Sequence, residues 1–201
     1  MTNHVYLVDD DEAVRNALSL LLETVGLNVC SFASPEKFLS QVADLTPGCL
    51  ILDIRMPAIS GLKLQEKLTE KGVSWPTVII SGHGDIEACR RAFRNGAIDF
   101  LSKPVDEQNL IDAIQKGHAE LEANQQALEE RAEAVALVRN LSTREQQVLE
   151  MIAKGLTTKQ IADALTLSPR TVESHRAAIA AKAGTSSAAE LTRYWLDAQA
   201  D

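Results

Sequence analysis

Four short stretches of this 201-residue chain carry side chains that could do chemistry together. Asp9-Asp10-Asp11-Glu12 follows the apolar run Val5-Tyr-Leu-Val8, and Asp53 follows Cys49-Leu-Ile-Leu52. Ser81-Gly82 follows Thr77-Val-Ile-Ile80 and offers a hydroxyl and a backbone N–H. Lys103-Pro104 comes just after Ile98-Asp-Phe-Leu101 and offers a cation. If one fold gathers these ends, three or four carboxylates repel each other unless a cation stands between them. An all-oxygen set with few protein ligands suits Mg²⁺, which keeps several waters. A lone Asp, a hydroxyl and a lysine around such a metal are the parts of phosphoryl transfer to a carboxylate. They supply a nucleophile and groups that neutralise the phosphoryl oxygens.

The elements that must position these residues are legible in the pattern. Five short apolar runs, at 5–8, 28–32, 49–52, 77–80 and 98–101, alternate with amphipathic stretches. From Ala13 to Val25, apolar residues recur at helical spacing (Val14, Leu18, Leu21, Leu22, Val25) and the pattern stops at Gly26. Ser34-Pro35 reads as an N-cap with proline in the first turn, opening a helix to about Ala43. Helices are also expected from about Leu62 to Lys71, from Ile86 to Asn95, and from near Asp106. Nearly continuous apolar strands alternating with helices imply a parallel sheet covered on both faces. Right-handed crossovers make it a doubly wound, flavodoxin-like α/β fold. Active groups in such sheets gather beyond the carboxyl ends of the strands, where all four stretches stand.

The remainder of the chain differs in character. Residues 107–139 are strongly helical and contain no proline, with Ile114, Leu121, Leu128 and Val135 recurring every seven residues. The alternate seam positions are His118, Gln125, Ala132 and Arg139, so a weak coiled coil and a solvated spacer helix both fit. From residue 140 the helices and loops are short and no strand is evident. Ser142-Thr-Arg-Glu145 reads as a capping box. Thr158 to Ala164 is a short helix, and Ser168-Pro169 opens another that ends near Gly184. Two short helices with a tight turn, the second opening with polar and basic residues, fit a helix-turn-helix. The expected organisation is an α/β domain over 1–117, a helical linker over 118–139, and an all-α four-helix domain over 140–201.

Net charge is −8. It falls unevenly, at −5, −3 and 0 over these three segments. DNA binding therefore has to rest on a local basic surface and a motif. No run approaches the apolar length of a membrane span, and the acidic N-terminus does not read as a signal peptide. The cytoplasm is the expected compartment. Cys30, Cys49 and Cys89 lack CxxC spacing and read as small buried hydrophobes.

The motifs also carry resemblances. Val8-Asp9-Asp10, Asp53-Ile-Arg-Met-Pro57 with Gly61, Ser81-Gly82-His83-Gly84 and Lys103-Pro104 resemble the receiver-domain signature of two-component response regulators. They stand in its order and spacing over roughly residues 1–120, and the Ser81–Asp85 run is most similar to the FixJ-type branch. Leu-Ser-Thr-Arg-Glu145, Gly-Leu156, Lys159-Gln-Ile-Ala162 and Ser-Pro-Arg-Thr-Val172 with His175 resemble the LuxR/NarL-type DNA-binding domain.

The first resemblance implies Asp53 as the phosphoacceptor for a sensor histidine kinase. It implies Mg²⁺ held by Asp10, Asp53 and the main-chain carbonyl of Arg55, with Asp9 acting largely through water. Ser81 and Gly82 would meet the phosphate, Lys103 would pair with it, and Phe100 would turn inward as a switch. The Lys103–Pro104 bond is expected to be cis. Asp11 and Glu12 are read as solvated acids, and His83 as a loop residue near the site.

The second resemblance implies a recognition helix in the major groove of a palindromic site. Lys159, Arg170, Thr171, Arg176 and, more weakly, Lys182 would meet phosphates. Glu173 and Ser174 would read bases, and Ala177 could meet a thymine methyl. Many members carry lysine where Glu173 stands, so a favourable charge is missing here. Leu191, Tyr194, Trp195 and Leu196 on the last helix fit either a dimer contact or the small core. Arg90, Arg91 and Arg94, with Asp106, Glu107 and Asp112, form an expected self-complementary homodimer face. RNA polymerase is a further expected partner, with activation favoured over repression, and no membrane or enzymatic role is expected. A Mg²⁺ phosphatase turning over at Asp53 would need catalytic acids that are missing near the site. A constitutive DNA binder would not need the intact acid and lysine set.

Overall fold

The computed structural model describes residues 4–82 and 86–200. His83, Gly84 and Asp85 lie outside the described residues, and the reading of His83 with them. Two compact units are present, Met1–Asn124 and Gln125–Asp201.

The first unit alternates β1 (His4–Val8), α1 (Glu12–Thr24), β2 (Asn28–Phe32), α2 (Pro35–Gln41), β3 (Cys49–Asp53), α3 (Gly61–Glu70), β4 (Thr77–Ser81), α4 (Ile86–Arg94), β5 (Ala97–Ser102) and the start of α5 (Glu107–Asn140). The sheet is parallel throughout, in the order β2-β1-β3-β4-β5. Because side chains alternate across a strand, each apolar run feeds two cores. Tyr6, Val8, Leu50, Leu52 and Ile79 pack with Phe38 and Leu64 on one face. Val5, Leu7, Ile51, Val78 and Ile80 pack with Leu22, Leu110 and Ile114 on the other. Both faces are covered, as continuous apolar strands require. At Gly117, an added Cβ would lie 2.9 Å from Cys49 Sγ and 3.1 Å from Pro76 Cβ, so a bare backbone lets α5 lie close to the sheet.

Several local expectations are corrected. α1 begins at Glu12, because the Asp11 carboxylate accepts from the amides of Ala13 and Val14 and caps the helix. Asp11 is thus an exposed N-cap as well as a solvated acid. Cys49 alone of the three cysteines is buried. Cys30 is exposed because β2 is an edge strand, and Cys89 is half-buried on α4.

α5 runs unbroken for 34 residues, and its heptad stripe serves no single seam. Ile114 belongs to the core of the first unit, whereas Leu128 is 67% exposed. In the last turns Ala134 is buried, and Leu137 and Leu141 (the latter just beyond) belong to the core of the second unit. There they meet α6 (Thr143–Ala153), α7 (Thr158–Leu165), α8 (Pro169–Ala183) and α9 (Ala188–Gln199). Val148, Leu149, Ile152, Ile161, Val172, Ile179 and Leu191 complete that core. Tyr194 and Trp195 pack against it, the core alternative of the two expected for them, while Leu196 stays exposed.

Candidate functional site

β3 and β4 each run one residue further than the apolar pattern suggests, so Asp53 and Ser81 are the last residues of their strands. Asp9 follows the last residue of β1, and Lys103 the last of β5. All four ends therefore meet at the carboxyl edge of the sheet. Asp9 is 0% exposed and Asp53 6%, while Asp10 is exposed. Carboxylate oxygens of Asp9, Asp10 and Asp53 lie within 4.8 Å of one another.

One cation holds the two buried acids together. Lys103 Nζ donates to Asp9 Oδ2 and to Asp53 Oδ2, each at 2.8 Å. The other oxygens are also placed: Asp9 Oδ1 accepts from the Asp11 amide at 2.9 Å, and Asp53 Oδ1 from the Arg55 amide at 3.3 Å. The Lys103 amide donates to the Ser81 carbonyl at 2.7 Å, and the Lys103–Pro104 bond is cis, as expected. Burial works against the Lys103 ammonium, but its hydrogen bonds to Asp53 and Asp9 outweigh it and lift its pKa above the usual lysine value. One ammonium against three carboxylates leaves the cluster net negative. That donor set, all oxygen and partly open through Asp10, fits Mg²⁺.

Gly61 fixes the wall behind Asp53. A Cβ there would sit 2.2 Å from the Asp53 carbonyl oxygen. The Gly61 amide donates to the Ile54 carbonyl at 3.1 Å, closing the loop that follows β3.

In the second unit α7 and α8 form the helix-turn-helix. Ser142/Glu145 is a capping box as expected, and Thr157/Gln160 is a second one that the sequence reading missed. Ser168 caps α8, with its oxygen accepting from the Thr171 amide at 3.1 Å. Arg170, Glu173, Ser174 and Ala177 are exposed along the first turns of α8, with Thr171 and Arg176 half-buried and Lys159 exposed on α7. The hydroxyl of Ser174 donates back to the Arg170 carbonyl at 3.0 Å. Glu173 accepts a 2.6 Å hydrogen bond from the Thr158 hydroxyl, a partner 15 residues away that no local pattern reveals.

Lys182 is not brought together with this set. Its ammonium donates to Glu145 Oε2 at 2.8 Å and to the Asn140 carbonyl at 3.1 Å, tying the end of α8 to the start of α6. The Lys182 hydrogen bond, with the Ser142 amide next, holds the Glu145 carboxyl down at about 2. A carboxyl depressed in the folded state stabilises above its unfolded pKa, and that contribution is lost as pH falls through the folded value. The second unit is therefore expected to lose about 2 kcal/mol between roughly pH 5 and 2, the worth of a charged hydrogen bond. Denaturant midpoints across that range would show the loss in the wild type and a flatter profile in Glu145→Gln.

Two family models match the chain. Residues 5–115 match the response regulator receiver domain, and residues 139–195 match the bacterial regulatory proteins of the luxR family. The chain belongs to the response regulator family. It is 44% identical over 189 residues to the response regulator protein TmoT of Ectopseudomonas mendocina, covering 94% of this chain and 86% of that one. It is 40% identical over 189 residues to the transcriptional regulatory protein FixJ of Azorhizobium caulinodans, covering 94% and 90%. The solved structure of the response regulator StyR superposes with a TM-score of 0.80 at 42% identity, covering 95% of this chain and 96% of that one.

This response regulator is thus a DNA-binding regulator of transcription, with a receiver domain that implies a sensor kinase as partner. Receiver domains bind Mg²⁺ at an acidic pocket, and Asp9, Asp10 and Asp53 form an acidic cluster of a kind that could hold a metal ion. No helix among the described residues is long and apolar enough to cross a membrane.

Proposed function

We propose that Asp53 accepts a phosphoryl group from a kinase phosphohistidine and that this event controls DNA binding by the second unit. The observation that carries the reading is the Asp9–Lys103–Asp53 bridge. It poises a buried carboxylate beside an ammonium whose pKa its two acid partners hold above the usual lysine value.

An Asp53 carboxylate oxygen attacks phosphorus, the P–N bond breaks, and the imidazole leaves with a proton. Asp9, Asp10, Asp53 and the Arg55 carbonyl would hold Mg²⁺, which when bound supplies charge neutralisation for the phosphoryl oxygens. Lys103 then has a choice of anions. The new phosphoryl group carries about −1.5 to −2 charges and competes for the ammonium against the acids that hold it in the resting protein. Ser81 and the Gly82 amide offer further donors at the adjacent strand end. Movement of Ser81 toward the phosphoryl group vacates space for Phe100, which is half-buried against the same core.

These shifts reach α4, β5 and the start of α5. Arg90, Arg91 and Arg94, with Asp106, Glu107 and Asp112, are all exposed there. Arg91 is already paired with Glu66 at 3.0 Å and Arg90 with Glu87 at 3.2 Å, so a dimer face there would exchange these partners. The exposed Phe93 and Ile86 add an apolar component that the sequence reading did not include. A homodimer would double the phosphate contacts on a palindromic site. Lys159, Arg170, Thr171 and Arg176 would make those contacts, with Glu173, Ser174 and Ala177 toward the bases and Lys182 assigned to structure. RNA polymerase recruitment, and hence activation, is the reading we favour for the bound state. Action on DNA supports the cytoplasm as its compartment.

The test combines light scattering with a DNA-binding titration, each with Mg²⁺ and acetyl phosphate. A joint rise in mass and affinity supports control by dimerisation. A rise in affinity at constant mass supports release of an inhibited effector. Unchanged mass and affinity in fully phosphorylated protein would overturn the proposal.

A further inference from the structure

Glu173 is a poor residue for a DNA-facing helix on charge alone, since phosphates repel it. A base contact would offset that repulsion, because a carboxylate can accept from the amino group of cytosine in the major groove. A long side chain meets a base edge selectively only if something holds it still, because otherwise it loses rotamer freedom on contact.

The structure supplies that hold. Thr158 Oγ1 donates to Glu173 Oε1 at 2.6 Å, within the short range of charge-assisted O–H···O⁻ bonds. Thr158 is the first residue of α7, yet its hydroxyl does not cap that helix. The cap is Thr157, whose hydroxyl accepts from the Gln160 amide. The bond to Glu173 crosses between the two helices of the helix-turn-helix. The choice of partner also matters. Arg170 and Arg176 each stand three residues from Glu173 and Lys159 follows Thr158, and an ion pair with one of them would take both charges away from DNA. A neutral hydroxyl leaves the cations to the phosphates. It occupies one of about four lone-pair positions of the carboxylate and leaves the rest for a base donor.

We infer that Thr158 is a positioning residue that sets base preference, its hydroxyl holding the Glu173 carboxylate for an amino group on a base edge. The inference rests on α8 being the recognition helix. The phosphorylated full-length protein is allowed to select from a randomised operator library, alongside Glu173→Ala, Thr158→Val and Thr158→Ser. The wild type is expected to prefer cytosine at one position per half-site, and Glu173→Ala to lose that preference. Thr158→Val, which keeps the shape and the backbone amide, is expected to weaken it about tenfold. Binding to random DNA should stay within about twofold, because phosphate contacts are untouched. Thr158→Ser should retain the preference.

Full preference in Thr158→Val, with loss in Glu173→Ala, overturns the role of Thr158 and leaves the recognition helix standing. Loss in Thr158→Ser equal to that in Thr158→Val shows that the hydroxyl alone does not hold the carboxylate, and also overturns it. An unchanged profile in Glu173→Ala removes the underlying reading as well.

Discussion

Asp53→Asn is expected to end phosphate uptake from acetyl phosphate completely, and with it every gain in mass or DNA affinity. The reason is chemical. A carboxylate oxygen is a nucleophile toward phosphorus and an amide oxygen is not. The neighbouring acids are poor substitutes: Asp9 is buried and tied to both Lys103 and the Asp11 amide, and Asp11 is the cap of α1. The fold should survive the change, because two effects on stability oppose. The variant replaces one of the two charged acceptors of Lys103 by an amide whose oxygen accepts more weakly, and it removes one charge from three carboxylates crowded within 4.8 Å. A net change within about 1 kcal/mol is expected. Intact-mass measurement after acetyl phosphate treatment decides the matter, with circular dichroism as the check on folding. Residual phosphorylation in the variant would mean that another acid accepts the phosphoryl group.

What could be read from sequence follows from which interactions are local. The strands and their order of burial are legible because both faces of the sheet are covered, which leaves unbroken apolar runs such as Cys49–Leu52 and Thr77–Ile80. The site is legible for the same reason, since a parallel sheet brings every strand end to one edge. Asp9, Asp53, Ser81 and Lys103 fall together from the strand pattern alone. Pairings between distant side chains have no such signature. Lys182 sits 37 residues from Glu145, and its spacing alone reads as one more cation on a DNA-binding helix. Thr158 and Glu173 lie 15 residues apart on different helices and carry no periodic mark. The stripe on α5 misleads in a different way. Its seven-residue recurrence spans two separate cores, one using Ile114 and the other using Leu137, two residues beyond Val135.

Gly61→Ala is expected to destabilise the receiver domain by about 3 kcal/mol or more, against every local preference. Gly61 is the first residue of α3, capped by Ser60, and its backbone needs no left-handed conformation. At such a position alanine should gain roughly 0.5–1 kcal/mol over glycine through chain entropy. The obstacle is purely spatial. The added carbon would stand 2.2 Å from the Asp53 carbonyl oxygen and 3.0 Å from its carbonyl carbon, both backbone atoms that no rotamer change can move aside. Either α3 retreats and the Gly61–Ile54 hydrogen bond breaks, or the end of β3 shifts and carries Asp53 with it. The second route displaces the nucleophile from Lys103 and Asp9, and misplacement on the scale of an ångström can slow a positioned reaction by about a hundredfold. Urea unfolding and the initial rate of acetyl phosphate labelling separate the two responses. Loss of stability with a wild-type labelling rate means the helix has moved, and loss of both means the strand end has moved. Wild-type values for both would show that the loop after β3 is not held by this contact.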